Sequence, residues 1–188
     1  MIRPAQPEDV TEVVPLLLQA MGALASKLTH TQNQETINHI FEQLFQQPGN
    51  QYSYQNTLVF EEAGKVLGSL TAYDGGKLSE LRKPLLTYLS QTNVDDDNPD
   101  AETQSGEFYF DSISVAPDAQ GKGIGKQLVK AGIAWGRQLG QDNMGLLVEQ
   151  HSGRALKLYQ QLGFTIQKEK EFMGGLYHHM QFKVQASY

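Results

Sequence analysis

EFYFDSISVAPDAQGKGIGKQLVKAGIAWGRQL, residues 107–139, is the stretch from which the rest of the chain can be read. Glu107 to Val115 alternates as a β-strand does. Without a bulge, Phe108, Phe110, Ser112 and Ser114 share one face, and Glu107, Tyr109, Asp111, Ile113 and Val115 the other. A bulge would re-aim part of one set. After a turn at Pro117 comes a glycine-rich loop, Gln120-Gly121-Lys122-Gly123-Ile124-Gly125. From about Gly121 to Leu139 the spacing of Ile124, Leu128, Ala131, Trp135 and Leu139 predicts one apolar helix face, and Gly140 marks its end. Asn143 to Glu149 returns as an apolar strand, so this unit implies a parallel strand pair with a right-handed crossover. A loop rich in small residues at a helix start offers free backbone N–H groups to an anion.

Outward from this unit, Ile2 and Arg3 open a short strand, and 8–28 reads as an amphipathic helix that Pro15 should kink or break near Val14. Thr31 to Gln47 predicts a second helix ended by Pro48-Gly49-Asn50. Thr57–Glu62 and Lys65–Tyr73 read as a hairpin turning at Ala63-Gly64, with Gly68 marking a bulge or a close approach of backbone. An insertion at about 75–106 holds a helix at Leu78–Leu89, interrupted by Pro84, and then a polar acidic loop. That loop reads as a solvated segment or as an acidic lip toward a cationic substrate. Ser152 stands at the N-cap of a helix carrying Ala155, Leu158, Tyr159 and Leu162, and Phe164–Phe172 with Leu176–Val184 forms a last hairpin. The order β αα βββ α β α ββ describes an α/β (α+β) domain over 1–188: one mixed, mostly antiparallel sheet, a central parallel strand pair and helices on both faces.

Composition narrows the function. The chain has 188 residues, no cysteine and a formal net charge of −6. A disulfide framework and a cysteine nucleophile are excluded, and the charge speaks against a nucleic-acid partner. No apolar run is long enough for a membrane span, and the N-terminus lacks a signal-peptide pattern. A cytoplasmic protein is the expectation. His178-His179 cannot both enter one site, because neighbours on a strand face opposite sides, and no metal site is expected.

Spacing disposes of three nucleotide readings of the loop. A Walker A loop requires glycine at Gln120 and Ser or Thr at Gln127. A dinucleotide fingerprint beginning at Gly121 requires glycine at Lys126. A kinase loop requires downstream motifs that the chain lacks. What stands is Gln120-x-x-Gly123-x-Gly125 after Ile113-Ser114-Val115, followed by Leu146-Leu147-Val148, Ala155-Leu156-Lys157-Leu158-Tyr159 and Gly163-Phe164. Over 107–164 this resembles the GCN5-related N-acetyltransferase superfamily, and the Ile2-Arg3-Pro4-Ala5 opening is also typical of it.

The resemblance implies transfer of an acetyl group from acetyl-CoA to a primary amine of a small molecule or peptide, with a homodimer as a frequent assembly. It places the pyrophosphate on the N–H groups of Gly121, Lys122, Gly123, Ile124, Gly125 and Lys126, with Gln120 in the motif and the two lysines adding charge. The pantetheine arm would pair with the backbone at Ile113, Ser114 and Val115. Leu158, Ser152 (where the family often has asparagine) and Arg154 complete the cofactor side. Tyr159 matches the general acid that protonates the leaving thiolate; its helical spacing equally permits a packed core tyrosine. The glutamate base of histone-type members falls on Tyr109 here, so Glu107 and Asp111, which flank it, become the candidates. The alternatives are a non-catalytic acyl-CoA-binding sensor that lost its base, and a structural interaction domain without CoA affinity.

Overall fold

The computed structural model describes residues 1–91 and 99–184. The first half of the acidic loop, 92–98, lies outside the described residues, and so does that part of the acidic lip expected there; of the rest, Glu102 is buried. The strands are β1 (Ile2–Pro4), β2 (Thr57–Glu62), β3 (Lys65–Asp74), β4 (Phe108–Val115), β5 (Asn143–Glu149), β6 (Thr165–Phe172) and β7 (Gly175–Lys183). Among the described residues they form one seven-stranded sheet in the order β1-β2-β3-β4-β5-β7-β6. All neighbours are antiparallel except β4 and β5. The helices are α1 (Val10–Met21), α2 (Ala23–Thr29), α3 (Gln34–Gln46), α4 (Leu78–Leu81), α5 (Lys83–Ser90), α6 (Ile124–Gln138) and α7 (Gly153–Gln161). Among the described residues none is long and apolar enough to cross a membrane.

One helix prediction changes in detail. The first helix does not break at Pro15, which lies inside α1. It breaks at Gly22, whose φ of 53° and ψ of −127° suit a residue without a side chain. The helix expected over Leu78–Leu89 is interrupted as Pro84 implies: it is split at Arg82 into α4 and α5, and Pro84 sits in the first turn of α5, which needs no donor from it. The bulge beside Gly68 is present, since Phe60 pairs with Gly68 but Glu61 with Val66.

Each face of the sheet carries its own core. On one, α1, α2, α3 and α5 bury Val13, Leu17, Ile37, Phe41, Phe45 and Leu85 with Val59 and Val66. On the other, α6 buries Ile124, Leu128, Val129 and Ile133 against Leu70, Phe108, Phe110, Met144 and Leu146. Side-chain-free positions bring α6 close: a Cβ at Gly132 would lie 2.8 Å from the Phe110 ring. Leu139, assigned to the apolar face by spacing, is 56% exposed because the helix has already ended. The end is a Schellman turn, with Gln141 N–H donating to Gly136 O and Gly140 N–H to Arg137 O.

A bulge in β4 decides where its side chains go. Thr71 pairs with Ser112 but Ala72 with Phe110, which leaves Asp111 as the extra residue. The simple alternation therefore fails beyond Phe110. Phe108 and Phe110 share their core with Ile113 and Val115, whereas Tyr109 packs with Tyr73 and Leu78 on the opposite face.

Candidate active site

The parallel pair is short. Only Phe108, Tyr109 and Phe110 pair with Met144, Gly145 and Leu146. Beyond them each strand stays bonded to its outer neighbour, β4 to β3 and β5 to β7 along its full length. The sheet therefore opens between two intact halves. A cleft of about 990 Å³ lies here, between β4, the N-terminus of α6 and α7.

The glycine loop forms one wall. Gly121 and Gly123 have φ of 79° and 80°, values that a side chain would strain. No atom lies within 4 Å of where their Cβ atoms would stand. The first bond of α6 runs from Gln127 N–H to Gly123 O, so the N–H groups of Ile124, Gly125 and Lys126 have no carbonyl one helical turn back. Gln120, Gly121, Gly123, Ile124, Gly125 and Lys126 all line the cleft, with Ile113, Ser114 and Val115 beneath them. Lys122 is exposed and is not part of the lining. Gln120 turns inward, its Nε2 donating to Val115 O at 3.3 Å.

Gln19 of α1 is a residue that the sequence did not single out. Its Nε2 donates to Ser114 Oγ at 2.8 Å and to the same Val115 O at 3.0 Å. The strand edge at Val115 is thus already occupied by two glutamines. No local signal identifies Gln19, because 95 residues separate it from Ser114.

The opposite wall is α7, an amphipathic helix with no fully buried residue. Ser152, Arg154, Leu158 and Tyr159 face the cleft. Ser152 occupies the N-cap position but its side chain makes no capping bond. Tyr159 is half-buried, packed against Phe164 with ring centroids 5.9 Å apart. Burial pushes its phenol up to about 12, so the proton stays on at any physiological pH.

The two candidate carboxylates part company. Neither lines the cleft, and what separates them is their surroundings. Glu107 is fully buried and accepts from Thr103 Oγ1 at 2.7 Å and Gln181 Nε2 at 2.8 Å, with His179 Nε2 also at 2.8 Å. Burial pushes its carboxyl up, but the bonds from His179, Gln181 and Thr103 outweigh burial and hold it below the ordinary carboxylate range. His179 is thus a buried partner of Glu107, a pairing hidden by 72 residues of separation. Among the described residues no group of His, Asp and Glu could hold a metal ion.

Asp111, on the bulge where β4 leaves β5, is half-buried. It accepts from Tyr73 O–H at 2.6 Å and from Gln51 Nε2 at 2.9 Å. Its carboxyl is raised to about 6, first by burial and then by the nearby charge of Glu102. Asp111 is not among the residues lining the cleft either, but it stands two residues before Ile113, which is. A carboxyl whose value lies near neutrality is a group able to exchange protons.

Comparison with known proteins places this geometry. The profile of the Acetyltransferase (GNAT) family matches residues 23–164. A mycothiol acetyltransferase of Saccharomonospora viridis is 34% identical over 105 residues, which is 54% of this chain and 34% of that protein. The chain thus spans about a third of the length of that relative. A crystal structure of an acetyltransferase superposes with a TM-score of 0.82 at 28% identity, covering 98% of this chain and 100% of the other. An N-acetyltransferase from Staphylococcus aureus Mu50 has the same fold, with a TM-score of 0.82 at 22% identity over 97% of this chain and 100% of its own. With its parallel strand pair opening over a glycine turn, and with the profile match spanning most of its length, the chain belongs to the acetyltransferase (GNAT) family.

Proposed function

We propose that the protein is an acetyl-CoA-dependent N-acetyltransferase acting on a primary amine of a small molecule or peptide. The observation that carries this reading is the cleft at the strand opening, walled by the positive-φ glycine turn on one side and Tyr159 on the other. The residues suit the cosubstrate. Gly121 and Gly123 leave open space where side chains would stand, and the first N–H groups of α6 suit a pyrophosphate. Lys126 and Arg154 add exposed positive charge at the rim. Leu158 and the Ile113–Val115 edge suit the less polar arm.

Asp111 takes a proton from the acceptor ammonium, directly or through one water, and frees the nitrogen lone pair. The C–N bond forms at the thioester carbonyl. As the C–S bond breaks, Tyr159 gives its proton to the departing sulfur and recovers one from the nitrogen of the adduct. The products are an amide, free CoA thiol and the proton left on Asp111. Glu107, fully buried and held among three donors, takes no part in this exchange and serves to fix the start of β4 against β7.

The test is thiol release with acetyl-CoA and a panel of polyamines, aminoglycosides, amino acids and peptides, alongside calorimetry with acetyl-CoA alone. Amine-dependent thiol release is the expected result. Binding without release across the panel would favour a sensor, and absence of binding would sink the reading altogether.

A further inference from the structure

The 75–106 insertion reaches the same bulge from outside the family motifs. Gln51, buried and just before β2, joins the two regions with one amide. Its Nε2 donates to Glu102 Oε1 at 2.8 Å and to Asp111 Oδ2 at 2.9 Å. Tyr73 O–H donates to that same Oδ2 at 2.6 Å. Glu102 is 5% exposed and ion-paired with Arg82, itself 4% exposed. The groups around Asp111 are therefore Tyr73 from β3, Tyr109 from β4, Gln51 and Tyr52 from the segment before β2, and Glu102 with Arg82 from the insertion. Two carboxylates share one amide in a desolvated setting, and Arg82 is ion-paired with Glu102.

We propose that Glu102 is a positioning residue: through the shared amide of Gln51 it orients Asp111 at the strand opening. This rests on Asp111 being the base. The sign of each neighbour follows from charge. Glu102 disfavours a second carboxylate and holds the Asp111 proton on to higher pH. Tyr73 and Gln51 donate to the carboxylate and favour its ionisation, as does Arg82. Burial raises Asp111 most and Glu102 of the insertion adds to it, so that Asp111 works as a base near neutral pH rather than one ionised, and weakly basic, from pH 4 upward.

The experiment is the pH profile of kcat/KM for thiol release by the full chain and its variants, using whichever amine of the panel is turned over. The wild-type acid limb is expected near pH 6. Glu102→Gln keeps an oxygen for Gln51 and Arg82 but removes the charge, so the limb moves down by about one pH unit. Tyr73→Phe removes a donor to the carboxylate, so the limb moves up. Glu102→Asp restores the wild-type limb, and the acetyl-CoA dissociation constant stays within about twofold in all three, since none lines the cofactor cleft. Loss of packing alone does not move a limb in opposite directions. Limbs that stay in place, or move the same way, overturn the proposal while leaving Asp111 as base. If Glu102→Gln does not fold, Glu102→Ala decides: a limb that moves down supports the proposal and an unmoved limb overturns it. Asp111→Asn with a wild-type acid limb overturns the assignment of the base.

Discussion

In the proposed reaction Tyr159 and Asp111 would divide the proton traffic, because burial acts on both in the same sense. It keeps the phenol protonated and makes the carboxylate reluctant to ionise. Tyr159→Phe is expected to lower kcat by about 100-fold while acetyl-CoA binding stays near wild type. Undiminished turnover in stopped assays would return Tyr159 to a packing role against Phe164. Asp111 makes a second prediction, from linkage. Its folded-state value lies above that of an unfolded aspartate, so the folded chain binds more protons between about pH 4 and pH 6. Stability therefore falls as pH rises through that window, and the loss is complete above it. Asp111→Asn should abolish most turnover yet raise the melting temperature by a few degrees at pH 8, with the gain vanishing near pH 4. A lower melting temperature at pH 8 would show that the Tyr73 and Gln51 bonds outweigh the buried charge. At this scale the motif residues were legible in sequence, because each sits in a fixed local pattern. The surroundings of Asp111 were not: Gln51 is 60 residues away and Tyr73 is 38.

The β4 bulge and the β4–β5 contact set how the elements meet. The bulge turns Asp111 out of the simple alternation, and the sequence showed only that a bulge would matter, not where it fell. Its place is decided by pairing with β3, which no local propensity encodes. Glu107 and Gly145 lock the short parallel contact from the other side. A Cβ at Gly145 would lie 2.3 Å from Glu107 Oε2, in a pocket already filled by Thr103, His179 and Gln181. Gly145→Ala should therefore destabilise the fold by on the order of 1–3 kcal/mol. Denaturant melts would read this as a lower midpoint at constant m-value, and an unchanged midpoint would mean that the Glu107 cluster has slack. The helix break tells a similar story. Pro15 was the visible suspect, but Gly22 supplies the conformation that a turn between α1 and α2 requires.

For the whole molecule, the sheet is two halves joined at one short contact, with α7 set against the opening and no residue of it fully buried. A ligand in the cleft would bridge the halves and cover α7. Acetyl-CoA at about 100 times its dissociation constant should stabilise the fold by about 2.7 kcal/mol. For a chain of this size that is a rise in melting temperature of about 5–10 °C. No rise at saturating concentration would mean that the cleft does not take this cosubstrate. The order of strands and helices, the glycine turn and the Tyr159 helix were determined by sequence alone, because periodicity, capping and φ restrictions act over a few residues. Only the tertiary structure decided what surrounds each candidate carboxylate. It closed Glu107 into a cluster with His179, drew Gln19 onto the strand edge at Val115, and brought Glu102 of the insertion within one amide of Asp111. Those contacts join residues far apart in the chain, and their energies depend on burial and shared hydrogen bonds that exist only once the sheet has formed.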